Sequence, residues 1–300
     1  MKMNEIGRSG LFVGEIGLGC MSLGTEERTA AAILHEALER GVNLLDTADL
    51  YDGGRNEELV GKAIRGRRDR VVLATKVGNR RVPGQDGWVW DPSKAYILSA
   101  AKESLRRLGT DYIDLYQLHG GTLDDPIDET IEAFEQLKAE GVIRAYGISS
   151  IRPNVIREYA AQSGIASVMN PYSIVDRRGE ETVFPLLAEK GIGVIARGPL
   201  ASGALAAGRQ PSKGVPDYEL AELEALRAGL GALEASGRSL TQLAIRFTLS
   251  QPVVAAAVPG ASSREQLLQN LAAADAPPLT EAEAAAVRDM SKANRYRLHR

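Results

Sequence analysis

The sequence predicts an α/β fold in which eight parallel strands, with helices between them, close into a (β/α)8 TIM barrel. A unit recurs in which a helical stretch ends at a glycine and an apolar run follows at once, at residues 33–46, 133–149 and 185–197. The apolar runs are rich in Val, Ile and Leu and lack clear alternation, which is typical of strands buried on both faces of a parallel sheet. Helices that alternate with such strands indicate βα units, and eight of them form a barrel.

Each element follows from the local sequence. Residues 5–14 are predicted to form a small hairpin that turns at Arg8-Ser9-Gly10 and caps the floor of the barrel. Helices are predicted between most strands, as at residues 95–108 and 126–140, and extra helices are expected near the C-terminus. The glycines of the repeated unit suit the position just past a helix end, where a left-handed backbone is needed: Gly41, Gly141 and Gly191. The strands are predicted at residues 15–19, 42–48, 70–76, 112–119, 144–150, 166–170, 193–198 and 254–260.

Two segments interrupt this rhythm. Residues 78–94 form a long loop after the third strand, and residues 198–218 form a loop rich in Gly, Pro and Ala after the seventh strand. Long loops in compact domains are often functional lids. The sequence shows no linker that clearly splits the chain, so residues 1–300 are expected to be one barrel domain.

The composition excludes several classes of function. The chain has 300 residues and a net charge of -3, which does not favour nucleic acid or an anionic membrane as a partner. No apolar stretch reaches the roughly 18 residues of a membrane span, and the N-terminus lacks a signal-peptide core. The single cysteine, Cys20, excludes an internal disulfide and a cysteine-rich metal site. A cytoplasmic protein is expected.

Four residues lie at or just beyond the ends of three apolar runs: Asp46, Tyr51, Lys76 and His119. In a parallel α/β barrel the ends of successive strands meet at the carboxyl face, where catalytic residues gather. Singly, each has an ordinary structural explanation, such as a helix cap for Asp46 or a solvated cation for Lys76. Together, in this order across three strand ends, they predict an active site, and we call them the tetrad.

The tetrad has the chemistry of a proton donor and its supporting groups. A nearby Lys76 ammonium lowers the pKa of the Tyr51 phenol, and Asp46 holds that ammonium charged and oriented. His119 can donate a hydrogen bond to a substrate carbonyl. Such a group protonates an oxygen while something else attacks the carbon. Since no residue here can reduce a carbonyl by itself, the hydride is expected from a cofactor.

The chain resembles the aldo-keto reductase superfamily, of the bacterial NADPH-dependent type, from about residue 5 to residue 272. The resemblance implies NADPH lying over the carboxyl face of the barrel and Tyr51 as the proton donor. The matching segments are residues 7–25, 44–64, 71–78, 104–119, 141–150, 170–180, 198–205 and 259–270.

The resemblance also assigns the nicotinamide end of the cofactor site. Gly19, Cys20 and Met21 occupy the turn that contacts the nicotinamide ribose, with Asp46 close by. Ser149 and Ser150 stand where the family commonly has Ser-Asn on the carboxamide. At Met169 the family usually has Gln, so either Asn170 substitutes for it or the nicotinamide is held more loosely. Arg197 stands where many members stack an aromatic ring, and a guanidinium plane can stack in the same way.

The other end of the cofactor is assigned to two loops. The loop after the seventh strand resembles the segment over the pyrophosphate, which backbone N–H groups of a Gly-rich loop suit: Gly198, Pro199, Leu200, Ser202 and Gly203. The segment after the eighth strand resembles the adenosine 2′-phosphate and adenine site: Gly260, Ser262, Ser263, Arg264, Gln266 and Asn270. Only Arg264 supplies charge there, which weakens the preference for a cofactor with a 2′-phosphate. NADPH is still favoured, with use of both NADPH and NADH as the alternative.

Trp88 and Trp90 have two interpretations of similar weight. They are part of the substrate wall, together with Tyr51 and His119, or they pin their loop to the barrel rim. An aromatic wall suits aromatic or medium-chain aldehydes. Cys20, near the cofactor, is a candidate only for inhibition by thiol reagents.

The leading hypothesis is an NAD(P)H-dependent reductase of small-molecule aldehydes or ketones, with a monomer as the default state. One alternative is a cofactor-sensing regulatory protein of the same fold with slow or no turnover. Another is an unrelated barrel enzyme that acts on phosphorylated metabolites, against which the tetrad argues.

Overall fold

The computed structural model describes residues 1–82, 84, 86–234 and 237–300, and these fold into a parallel α/β barrel. Neighbouring barrel strands pair in the order β12-β11-β10-β9-β8-β5-β4-β3. The ring closes where Gly17 N donates to Ala257 O at 2.9 Å and Ile16 bridges Ala257 in parallel. The barrel strands are β3 Leu18–Gly19, β4 Leu44–Asp46, β5 Val72–Val77, β8 Ile113–Leu118, β9 Ile143–Ser149, β10 Ser167–Pro171, β11 Gly193–Arg197 and β12 Val254–Val258.

The predicted strands are confirmed in number and order, although the first two are shorter than expected. Gly41, Gly141 and Gly191 have φ values of 84°, 74° and 67°, so each takes the left-handed backbone expected just past a helix. The helices are α1 Glu27–Glu39, α2 Arg55–Ala63, α3 Lys94–Leu108, α4 Ile127–Ala139, α5 Pro153–Gln162, α6 Val183–Lys190, α7 Leu220–Glu234, α8 Leu240–Leu249, α9 Arg264–Leu271 and α10 Glu281–Met290. Within the described ranges, none of the helices is both long and apolar enough to cross a bilayer.

The floor of the barrel is closed by the predicted hairpin, whose strands are β1 Met3–Glu5 and β2 Phe12–Gly14. Ile6, Leu11 and Val13 are buried and pack with the barrel-interior side chains, which include Leu44 and Leu115. This apolar plug fills the lower part of the barrel. Access to the interior is therefore expected from the carboxyl ends of the strands.

The upper interior of the barrel carries polar side chains. Every second residue of a strand faces the same side. In β4 and β5, Leu44 and Ala74 face the apolar plug, so Asp46 and Lys76, two positions further on, face the same interior nearer the carboxyl end. Lys76 pairs in register with Gln117 of β8. The strands thus bring Asp46 and Lys76 together inside the barrel at its carboxyl end.

The two long loops carry more structure than the sequence suggests. In the first, β6 Asn79–Arg80 pairs antiparallel with β7 Val89–Trp90. Pro83 and Gln85 of that loop lie outside the described residues. In the second, a turn of 3-10 helix spans Ala201–Gly203 and a bridge joins Val215 to Tyr218.

Candidate active site

A cavity of about 1200 Å³ opens at the carboxyl end of the barrel and is lined by all four residues of the tetrad. Most of the predicted cofactor residues line it as well, as do Trp88 and Trp90. The exceptions are Cys20 and Arg264. The tetrad therefore sits at the bottom of one continuous groove, which extends from the barrel centre toward α9.

Lys76 is the centre of the tetrad and is fully buried. Its Nζ donates to Asp46 Oδ2 at 2.8 Å, to Thr47 O at 2.8 Å and to Tyr51 Oη at 3.4 Å. Burial disfavours the ammonium, but Asp46 and Tyr51 outweigh it, so the pKa of Lys76 is raised above its ordinary value. Lys76 is therefore a fixed cation directly beside the phenol oxygen.

Tyr51 is placed by a tight turn of 3-10 helix, Tyr51–Gly54, that follows β4. Asp52, Gly53 and Gly54 in this turn have φ values of 50°, 65° and 90°, a conformation that glycine adopts readily. The turn brings the phenol over the end of β5. Burial raises the pKa of Tyr51, and Lys76 lowers it as expected but offsets the effect of burial only in part.

His119 lies beyond the end of β8, and its backbone N–H donates to Val77 O at 2.7 Å. Its ring meets that of Tyr51 edge-on, with 6.0 Å between ring centroids. Burial, together with the charges of Lys76 and Arg197, lowers the pKa of His119 to about 3. The imidazole is therefore neutral at physiological pH and presents one donor and one acceptor.

Gln117 is a buried residue of the site that the sequence analysis did not select. Its Nε2 reaches Asp46 Oδ1 at 3.5 Å, while its Oε1 is buried without a hydrogen-bond partner. The strand period identifies it, since Gln117 pairs with Lys76 in register. Its amide gives the second oxygen of Asp46 a partner on the side away from Lys76.

At the nicotinamide end, Gly19, Met21, Ser149 and Ser150 line the groove. A Cβ at Gly19 would stand 3.0 Å from Val258 O, so glycine permits the close approach of β3 and β12. Cys20 does not face the groove. Its thiol is fully buried, and burial raises its pKa, which leaves it unsuited to reaction with thiol reagents.

Met169 and Arg197 line the groove where the resemblance placed them. Asn170 is not free to replace the missing glutamine, because its side chain is buried and already partnered. Its Nδ2 donates to Ser150 O at 2.9 Å, and its Oδ1 accepts from Tyr296 Oη at 3.2 Å. The geometry therefore does not favour the alternative in which Asn170 takes the place of the glutamine.

The predicted pyrophosphate residues line the groove: Gly198, Pro199, Leu200, Ser202 and Gly203. Arg209, further along the same loop, lines it too and was not predicted. A Cβ at Gly203 would stand 2.6 Å from Arg209 Nη1, so the guanidinium packs against the turn. Arg227 of α7 fixes this loop by donating hydrogen bonds to Ala204 O and to Arg209 O.

At the predicted adenosine end, Gly260, Ser262, Gln266 and Asn270 line the groove. Ser262 donates from its N–H and its hydroxyl to Gln266 Oε1, both at 3.0 Å. Ser263 caps α9 by accepting from Gln266 N. Arg264 does not line the groove and binds Glu36 of α1 instead, a contact that local sequence patterns do not predict.

The position of Trp90 is compatible with both interpretations of the loop tryptophans. It lines the cavity, and its indole N–H donates to Asp125 Oδ1 at 2.9 Å. A Cβ added at Gly78 would stand 2.5 Å from its ring. Trp88 also lines the cavity but is 52% exposed. The cavity wall is therefore fixed at Trp90 and open to solvent at Trp88.

Comparisons with known proteins agree with this geometry. The family model for the aldo/keto reductase family matches residues 15–292. The uncharacterized oxidoreductase YqkF of Bacillus subtilis is 54% identical over the whole of both chains. Aldo-keto reductase AKR11C1 from Bacillus halodurans, holo form, is 56% identical with a TM-score of 0.96, covering 100% of this chain and 99% of that one.

A more distant structure carries a ligand. An aldo/keto reductase from Klebsiella pneumoniae, solved in complex with NADP and acetate, is 31% identical with a TM-score of 0.81 and covers 99% of each chain. The match of the family model, the barrel and these relatives agree over nearly the full length. This chain belongs to the aldo/keto reductase family of oxidoreductases.

Proposed function

We propose that this protein is an NAD(P)H-dependent reductase of aldehydes or ketones, with NADPH as the main cofactor. The observation that carries the proposal is the contact of Lys76 Nζ with both Asp46 and the Tyr51 phenol at the bottom of the groove. A fixed cation beside a phenol is the arrangement that a proton donor to a carbonyl oxygen requires.

The groove fits a nicotinamide dinucleotide by the chemistry of its lining. Ser149 and Ser150 offer hydroxyls at one end, Arg209 offers a cation beside the glycine-rich loop, and Ser262 and Gln266 offer polar groups at the other end. The NADP complex of the Klebsiella relative supports the same cofactor class. When bound, the reduced nicotinamide supplies the hydride.

Tyr51 is the proposed proton donor. As negative charge develops on the carbonyl oxygen, the Tyr51 O–H donates its proton to it. Lys76 stabilises the phenolate left behind, because its ammonium stands 3.4 Å from the phenol oxygen. Asp46 keeps Lys76 charged in a buried site where an unpaired ammonium would be costly.

His119 is the proposed positioning group for the carbonyl. Because its pKa is lowered to about 3, it acts as a neutral hydrogen-bond donor and does not compete with Tyr51 as an acid. Its Nδ1 is buried and has no hydrogen-bond partner. A carbonyl held by His119 would lie within reach of the Tyr51 hydroxyl, since the two rings pack edge-on.

The open wall at Trp88 and the fixed wall at Trp90 favour an aldehyde with an aromatic or medium-length apolar group. One copy of the chain carries the whole tetrad and groove, so we propose that a monomer, folded as one domain, is competent for turnover.

The test measures oxidation of NADPH and NADH by purified protein with aromatic and aliphatic aldehydes, dicarbonyls and ketones, alongside equilibrium binding of both cofactors. Steady turnover with at least one carbonyl class supports the reductase. Tight cofactor binding with one slow burst of oxidation and no further turnover would instead support a cofactor sensor. Failure of both cofactors to bind would overturn the proposal.

A further inference from the structure

An ion pair between two helices lies beside the predicted adenosine end of the groove. Arg264 begins α9 directly after Ser262 and Ser263, which line the groove. Its Nε donates to Glu36 Oε2 of α1 at 3.0 Å. The Arg264 side chain is 61% exposed and that of Glu36 is 17% exposed. The guanidinium is thus held on the outer side of the groove edge by a half-buried carboxylate.

Glu36 is ionised at neutral pH. It also accepts from Arg40 Nε at 2.5 Å, and its hydrogen bonds to Arg40 and Arg264 lower its pKa below the ordinary value. Glu36 therefore binds two guanidinium groups with one carboxylate. Neither arginine can be released from it by a change of pH near neutrality.

The groove surface next to this pair offers no other positive charge among its described residues at that end. Ser262, Ser263, Gln266, Gln269 and Asn270 are neutral, and Glu265 is acidic. A ribose hydroxyl needs only hydrogen-bonding groups, whereas recognition of a 2′-phosphate depends on charge-assisted hydrogen bonds. Arg264 is the cation that directly follows Ser262 and Ser263 in the chain, and its guanidinium is held by Glu36.

We propose that Glu36 determines cofactor specificity by competing with the adenosine 2′-phosphate for Arg264. The competition weakens binding of NADPH and leaves binding of NADH unchanged, so the two affinities are kept close. This inference rests on the proposed nicotinamide dinucleotide site. It makes Glu36 of α1, which is remote in sequence from the groove residues of α9, one of the residues that determine how strongly the 2′-phosphate is bound.

The experiment uses ligands that occupy only the adenosine end. Dissociation constants of adenosine 2′,5′-bisphosphate and of AMP are measured by calorimetry for the full chain, for Glu36→Gln and for Glu39→Gln. Glu39 is an exposed carboxylate at the end of the same helix, so its variant matches the change in net charge. NADPH and NADH are then titrated against the same proteins.

Glu36→Gln should bind the bisphosphate about two- to fivefold more tightly, the range expected for one exposed charge interaction, with AMP unchanged. Glu39→Gln should bind both ligands as the wild type does. The gain should vanish in the Glu36→Gln, Arg264→Gln double variant. Equal gains for both ligands, or none for Glu36→Gln, would overturn the inference. If neither dinucleotide binds to the wild type, the proposed function itself fails instead.

Discussion

Replacement of Asp46 with Asn removes the charge that compensates the buried ammonium of Lys76 while keeping the size of the side chain. Asp46 Oδ2 lies 2.8 Å from Lys76 Nζ, and the side chains of Asp46 and Lys76 are 7% and 1% exposed. At an effective dielectric constant of about 20, one such pair interacts by roughly 6 kcal/mol. Since Asn still accepts a hydrogen bond, we expect a net loss of about 3–5 kcal/mol in the free energy of unfolding at pH 7.

The pH dependence of the stability loss distinguishes a missing charge partner for Lys76 from a packing defect, which would not change with pH. In the wild type, the pKa of Lys76 is raised on folding, so its stabilising contribution is lost as pH rises past the raised value. In Asp46→Asn, the larger of the two influences that raise the pKa of Lys76 is gone and only Tyr51 opposes burial. We therefore expect the pKa of Lys76 to fall below its ordinary value, so that the variant gains stability as pH rises toward that value. The difference between the two proteins should therefore shrink between pH 7 and pH 10.

Urea unfolding at several pH values measures both effects. Asp69→Asn is the control, since Asp69 is exposed and precedes the amino end of β5. An Asp46→Asn protein as stable as this control, or a difference that stays constant up to pH 10, would refute the reasoning.

Three further predictions concern stability. Gly61→Ala should cost about 1–3 kcal/mol or more because its Cβ would stand 2.3 Å from a carbonyl of α3, whereas Gly231→Ala, with open space around it, should gain about 0.5–1 kcal/mol in urea unfolding. Arg107→Met should cost about 3–5 kcal/mol in the same assay, because it removes the cation that pairs with the buried Glu57 at 2.6 Å and leaves only the Thr75 hydroxyl, among the described residues, as a donor to that carboxylate. His119 resists protonation when folded, so the wild type should lose stability as pH falls from about 6.5 toward about 3, and His119→Asn should lose less over this range.

The sequence was sufficient to predict the barrel and the assembly of the tetrad for one physical reason. Parallel strands buried on both faces are recognisable from apolar runs, and their carboxyl ends meet by necessity. Asp46, Lys76 and His119 could therefore be placed near one another before any distance was known. Gln117 could have been found in the same way, from the alternation of side chains along β8.

Side-chain direction and distant pairing could not be predicted. Cys20 follows Gly19 directly, but the turn after β3 buries its thiol instead of presenting it to the groove. Arg264 was expected to face a phosphate, yet its partner Glu36 lies 228 residues away in sequence. Asn170 was a candidate cofactor ligand, but its Oδ1 accepts a hydrogen bond from Tyr296, near the C-terminus. Such contacts depend on how helices and loops dock, which local sequence patterns do not encode.

The central claim is that Tyr51 donates the proton during carbonyl reduction. The most direct test is a single-turnover measurement, in which protein loaded with NADPH is mixed with a carbonyl accepted by the wild type and the nicotinamide absorbance is followed. Tyr51→Phe is compared with Tyr112→Phe, a tyrosine that precedes β8 at the other end of the barrel and stacks against Arg68. We predict unchanged NADPH affinity in both variants and a rate about 100- to 10,000-fold lower in Tyr51→Phe only. A wild-type rate in Tyr51→Phe would contradict the account.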